Sequence, residues 1–261
     1  MTKMLIATIL AVLPLTAHTA QAGDLDLAPS TYDWSGGYVG VAAGGAMSDV
    51  EVTRETHYTG DLILSNAEKN LLDRAHDSMS SDDVGFTGGV SAGYNWQYDQ
   101  IVFGFETDIS AMNVQGGMTR NVTKAFDGIF TDPDLKVIDK VDYNVDAFGT
   151  LRGRLGFVID NVMLYGTGGL AYGYVDADSE VHAQDTTGSE SWRGSDSGWN
   201  IGWTVGGGIE YGIGRWSLGA EYLYVDLAST DWRSPSRIDL AADWDMDTSF
   251  SVLRATGKVR F

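Results

Sequence analysis

Ten ionisable side chains fall on one parity of alternating segments and could do chemistry together. They are the acids Glu106, Asp108, Asp146, Glu210 and Glu221 and the bases Arg152, Arg154, Arg254, Lys258 and Arg260. Carboxylates beside guanidinium or ammonium groups form charge-assisted hydrogen bonds. In a narrow space of low dielectric they are driven to do so, because an unpaired buried charge is costly. Such a set has two uses. It can fill an interior and fix strand register, or it can line a path and select small ions by rearranging its pairs.

Other chemistry finds less support. With no cysteine in the chain, a disulfide framework, a thiolate metal site and a cysteine nucleophile are excluded. His57, His76 and His182 fall in segments read as loops. They could ligate haem or serve a hydrolytic site with a nearby Ser, Asp or Glu, but no spacing singles out such a set. The run Asp243-x-Asp245-x-Asp247 could present carboxylates to a divalent cation, yet it lacks the glycine and distal glutamate of a calcium loop. Solvated acids and histidines are the plainer reading, so no cofactor, no metal and no enzyme are expected. A formal net charge of −19 leaves no basic surface for phosphates and excludes nucleic acid as a partner.

The elements that must position these residues read as strands behind an export signal. Lys3, the apolar run Met4 to Leu15 and the small-x-small pattern Ala20-Gln21-Ala22 predict a signal peptide over 1–22, cleaved between Ala22 and Gly23. A short periplasmic segment over 23–33 and a barrel over 34–261 are expected to follow. Eight runs alternate with period two, near 35–47, 84–96, 100–113, 142–157, 161–176, 198–212, 215–228 and 248–261. Each holds at least the roughly ten residues that a tilted strand needs to cross the hydrocarbon layer. Short connections at 97–99, 158–160 and 213–214 alternate with long polar ones near 48–83, 114–141, 177–197 and 229–247. Three tight turns on one side and four longer loops on the other are the mark of an eight-stranded antiparallel up-and-down transmembrane barrel with both termini in the periplasm.

The faces agree with a membrane setting. Trp216, Leu218, Ala220, Tyr222 and Tyr224 share one parity, and Arg215, Ser217, Gly219 and Glu221 the other. Small residues travel with the charges, so that face is assigned to the narrow lumen and the bulky apolar face to lipid. Phe148 and Leu223 are apolar exceptions on the inner face. The glycine-rich first and fifth strands give no parity. Trp34, Tyr94, Trp96, Tyr98, Tyr165, Trp199, Trp203, Tyr211 and Trp216 are expected at the headgroup boundary. In the first loop, Leu62, Ile63, Ala67, Leu71, Leu72 and Ala75 could form one side of a short helix behind Ser65-x-x-Glu68.

Several pieces then carry a family resemblance. Tyr32-Asp33-Trp34-Ser35-Gly36-Gly37-Tyr38-Val39-Gly40-Val41, Gly93-Tyr94-Asn95-Trp96, Tyr165 to Gly173, Gly206 to Tyr211, Ala220 to Tyr224 and the terminal Phe261 resemble the small opacity-type, porin-like outer-membrane β-barrels of alphaproteobacteria, OmpA-type in architecture. The resemblance implies residence in the cell outer membrane of a Gram-negative bacterium, among outer-membrane lipids and lipopolysaccharide. A terminal aromatic, here Phe261, resembles the signal read by the barrel-assembly machinery. The leading expectation is a structural and surface role, supporting the envelope and presenting loops. A narrow, low-conductance porin is the alternative, and a barrel binding haemin, a host surface or a small molecule at its loops is a third.

Overall fold

The alternation resolves into eight antiparallel strands: β1 (Gly36–Tyr58), β2 (Asp77–Tyr98), β3 (Ile101–Asn121), β4 (Lys136–Ile159), β5 (Val162–Gln184), β6 (Ser189–Ile213), β7 (Trp216–Pro235) and β8 (Leu240–Arg260). The computed structural model describes residues 32–58, 77–121, 136–184, 189–235 and 240–261. Each strand pairs with its neighbours in sequence, and β8 pairs back to β1 to close the ring. The tight turns are two residues long and open on Asp99, Asp160 and Gly214, with φ of 51°, 53° and 62°. Asp and Gly tolerate that left-handed backbone, which is why these three positions can reverse the chain so sharply. The expected signal peptide, its cleavage point and the first-loop helix lie outside the described residues.

The strands are longer than their sequence pattern suggests. The shortest, β7, has 20 residues and the longest, β6, has 25, about twice what crosses hydrocarbon. They run well into the stretches expected to be loops, and the reason is a reversal of polarity. Near the tight turns, Leu151, Leu155 and Leu253 point outward while Arg152, Arg154 and Arg254 point inward. Farther along, Val50 and Val52 are buried between outward Asp49 and Glu51, and Trp244 and Met246 are buried beside outward Asp245 and Asp247. Alternation persists, but with polar residues now facing out.

Pairing changes at the same level. The β2–β3 register ends at Phe86–Asn113 and the β6–β7 register at Gly202–Leu227, although all four strands continue. Beyond those points β7-β8-β1-β2 and β3-β4-β5-β6 remain paired as two four-stranded sheets. The far half is thus a β-sandwich built on a barrel, closed over an apolar core that includes Val114, Val145, Val175, Val225, Phe250 and Met246. Bulges sit at the transition, between Val145 and Ala147 and between Leu227 and Thr230. Each adds a residue to one strand and switches which parity faces inward.

Candidate functional site

The lumen near the tight turns holds a compact charged layer. Arg152 reaches Glu106 at 2.6 Å, Asp108 at 2.9 Å and Glu221 at 2.8 Å. Arg254 meets Glu221 at 2.6 Å and Asp108 at 3.3 Å. Lys258 lies 2.5 Å from Glu106 and 2.9 Å from Glu210, and Arg154 joins the same two acids. Four carboxylates face four cations, so the layer is neutral as a whole. Every one of these side chains is almost wholly buried.

Neutral groups complete the satisfaction that buried charge requires. Thr150 donates to Asp108 at 2.5 Å and accepts from Arg152 at 2.8 Å. The Tyr38 hydroxyl donates to Glu106 at 2.8 Å and accepts from Arg154 at 2.7 Å, and Tyr165 donates to Glu221 at 3.0 Å. Tyr38 fits because Gly93 faces it, and a Cβ there would stand 2.4 Å from the hydroxyl oxygen. Tyr38 lies on β1 and Tyr165 on β5, the strands whose glycine content hides their parity in the sequence. Inward alternation from a neighbouring register was the signal that could have found them.

Apolar plugs cover both sides of the layer. Toward the turns lie Tyr32, Trp34, Val102, Val158 and Met163. Toward the sandwich stand Phe148 and Phe250, edge to face at 5.1 Å, with Leu223 and Val252. Higher still, Trp232 and Trp244 stack at 6.1 Å.

Two members of the expected set stand elsewhere. Asp146 does not point into the lumen: it is the extra residue of the β4 bulge, its side chain is exposed, and it accepts from Asn144 at 2.6 Å. Arg260 faces inward at the turn-end mouth, apart from the paired layer, with its guanidinium 4.7 Å over the Tyr32 ring. Trp34 and Tyr165, expected at the headgroup boundary, are buried inside at 3% and 6% exposure, whereas Trp96, Tyr98, Trp199, Trp203 and Trp216 are exposed on the outer surface. Phe261 is exposed and donates its backbone N–H to the Gly37 carbonyl at 3.0 Å.

Among the described residues, the acids and histidines of the far half lie on strands. Asp243, Asp245 and Asp247 share the outer face of β8. Arg233 grips Asp243 through two bonds of 2.5 and 2.9 Å, while Asp245 stands directly opposite Asp231. Burial, a hydrogen bond with Asp231 and the charges of Asp231, Asp247 and Glu55 push the Asp245 carboxyl up to about 6. His182 is hydrogen-bonded to Ser191 at 2.7 Å, His76 lies outside the described residues, and so does the side chain of His57. Among the described residues no group of three His, Cys, Asp or Glu is arranged to hold a metal ion.

A closed ring of eight strands with an apolar belt, a charged lumen and its tight turns beside the described C-terminus defines a transmembrane β-barrel of the outer-membrane type. The family model for the outer membrane protein beta-barrel domain matches residues 7–255. The chain belongs to that family and resides in the outer membrane, in contact with its lipids. It is 35% identical over 203 residues to a 31 kDa outer-membrane immunogenic protein of Brucella melitensis, covering 76% of this chain and 72% of that one. It is 34% identical over 151 residues to a 22 kDa outer membrane protein of Rhizobium leguminosarum, covering 57% and 56%. Among solved structures, OprG of Pseudomonas aeruginosa overlaps 87% of this chain and 97% of its own at a TM-score of 0.43 and 12% identity.

Two outcomes follow from this geometry. Arg152→Met takes one cation from Glu106, Asp108 and Glu221, which keep Lys258 and Arg254, and leaves four buried carboxylates to three cations. It is expected to cost about 3–5 kcal/mol, read as a lowered urea midpoint of the detergent-refolded protein. Adding Glu221→Gln should recover part of that loss. For Asp245 the folded carboxyl titrates near 6 against an ordinary 3.8. Its contribution to stability is therefore full below about pH 3.8 and lost as pH rises through 6. Asp245→Asn is expected to raise the urea midpoint relative to the parent above pH 6 and to flatten the pH profile between 4 and 6.

Proposed function

We propose that this protein is a non-conducting, non-enzymatic structural barrel of the outer membrane that displays a rigid β-sandwich outside the bilayer. The observation that carries this reading is the filled interior. A water path along the axis would have to part the turn-end plug, the paired charges, the Phe148–Phe250 contact and the stacked tryptophans in succession. Rearranging the ion pairs alone leaves the apolar plugs in place.

The sandwich supplies the surface role. Its outer face is polar and acidic, and its core is apolar around a buried Arg54–Asp139 ion pair, so it stands as a stiff sandwich rather than a set of soft loops. The name of the Brucella relative records an immunogenic outer-membrane protein, which suits a part held out to the surroundings. Lipopolysaccharide is the proposed neighbour of the lower sandwich, and Phe261 the proposed handle for the barrel-assembly machinery. Planar-bilayer recording on refolded mature protein tests the reading. A flat baseline from protein shown to be folded by its gel shift is expected. Steady ohmic steps would overturn it in favour of a narrow porin.

A further inference from the structure

At the turn end, the residues preceding β1 fold into the mouth of the barrel. The Trp34 backbone N–H donates to Gln97 Oε1 at 2.7 Å, and the Gln97 N–H donates to Ser35 Oγ at 3.1 Å. The Tyr32 hydroxyl donates to the Trp216 carbonyl at 3.2 Å. Gly212 makes room for that ring, since a Cβ there would lie 2.5 Å from its carbons.

Between this segment and the barrel wall lies a cavity of about 10 Å³, the space of one water. Three of its lining side chains carry buried polar atoms with no hydrogen-bond partner: Trp34 Nε1, Asn95 Oδ1 and Arg260 Nη1. Trp34 and Asn95 are each 3% exposed, so bulk solvent does not satisfy them. Buried polar groups in folded proteins find partners, and the side chains that carry these two donors and one acceptor all line the same small space.

We propose that this cavity is a binding site for a single water molecule that corks the periplasmic mouth. The water accepts from Trp34 Nε1 and Arg260 Nη1 and donates to Asn95 Oδ1. Its second proton is left for the Glu210 carboxylate, which lines the same cavity. A polyatomic anion is too large for the space. A halide would suit the two donors and the neighbouring Lys258, but it would be opposed by the Asn95 oxygen and by Glu210. The bound water joins the segment before β1 to β2 and β8, adding to the direct Trp34–Gln97 and Tyr32–Arg260 contacts.

The test is a high-resolution crystal structure of the mature protein, with a parallel bromide soak. A single water peak within hydrogen-bond distance of all three atoms, with no anomalous bromide signal, is expected. Absent density, or an anomalous bromide peak, overturns the assignment. Replacing Trp34 by its sulfur isostere 3-benzothienylalanine keeps the bicyclic ring and deletes one donor. In that variant hydrogen exchange at the position-34 and Gln97 amides should quicken several-fold, while exchange in the middle of β3 stays the same. Unchanged exchange at both amides would overturn the locking role even if the water were present.

Discussion

Eight strands enclose an interior only just wide enough for side chains, and in this protein four carboxylates and four cations share the part that crosses the membrane. Neither charge can leave, because the outer face is lipid, and neither can stand alone, because an unpaired buried charge costs about 3–5 kcal/mol. The pairs must therefore close on one another, and they do so across β3, β4, β6, β7 and β8. Tyr38 and Tyr165 extend the lattice to β1 and β5. A slip of one residue in any of these strands would turn a charge toward lipid. Register, closure and the choice of small residues such as Gly93 on the inner face all answer to that constraint.

The same strands meet a second solvent farther out. Once clear of hydrocarbon, the outer face belongs to water and the interior is free to become a hydrophobic core. The chain makes this exchange without ending its strands. Bulges near Asp146 and Leu227 switch parity in β4 and β7, β1 and β8 keep one parity inward and change only its residue types, and two seams part so that the ring flattens into facing sheets. The acids Asp49, Asp178 and Asp247 and the buried Val50, Ala177 and Met246 are thus one pattern, the inverse of Leu253 and Arg254 below them.

Most of the membrane half was legible in the sequence, because alternation there is strong and the charges share one parity. Eight strands, three tight turns and the inward path of Glu106, Asp108, Arg152, Arg154, Glu210, Glu221, Arg254 and Lys258 follow from it. The far half was not legible as strand, since apolar residues spaced two apart among Asp, Ser and Thr dilute every average and look like loop. Asp146 was misplaced because a bulge leaves no mark in composition. Trp34 was misplaced because an aromatic before a strand looks alike whether it lies on the membrane surface or folds into the mouth.

The account stands on the exchange of environments along a continuous strand, and β8 offers the direct test. Spin labels placed singly at outward positions 259, 255, 253, 249, 247 and 245 in proteoliposomes would report contact with oxygen in lipid or with a water-soluble relaxant. The account predicts lipid contact from 259 through 253 and water contact from 249 onward, with every label ordered as on a strand. Mobile, loop-like labels at 247 and 245, or lipid contact there, would contradict it.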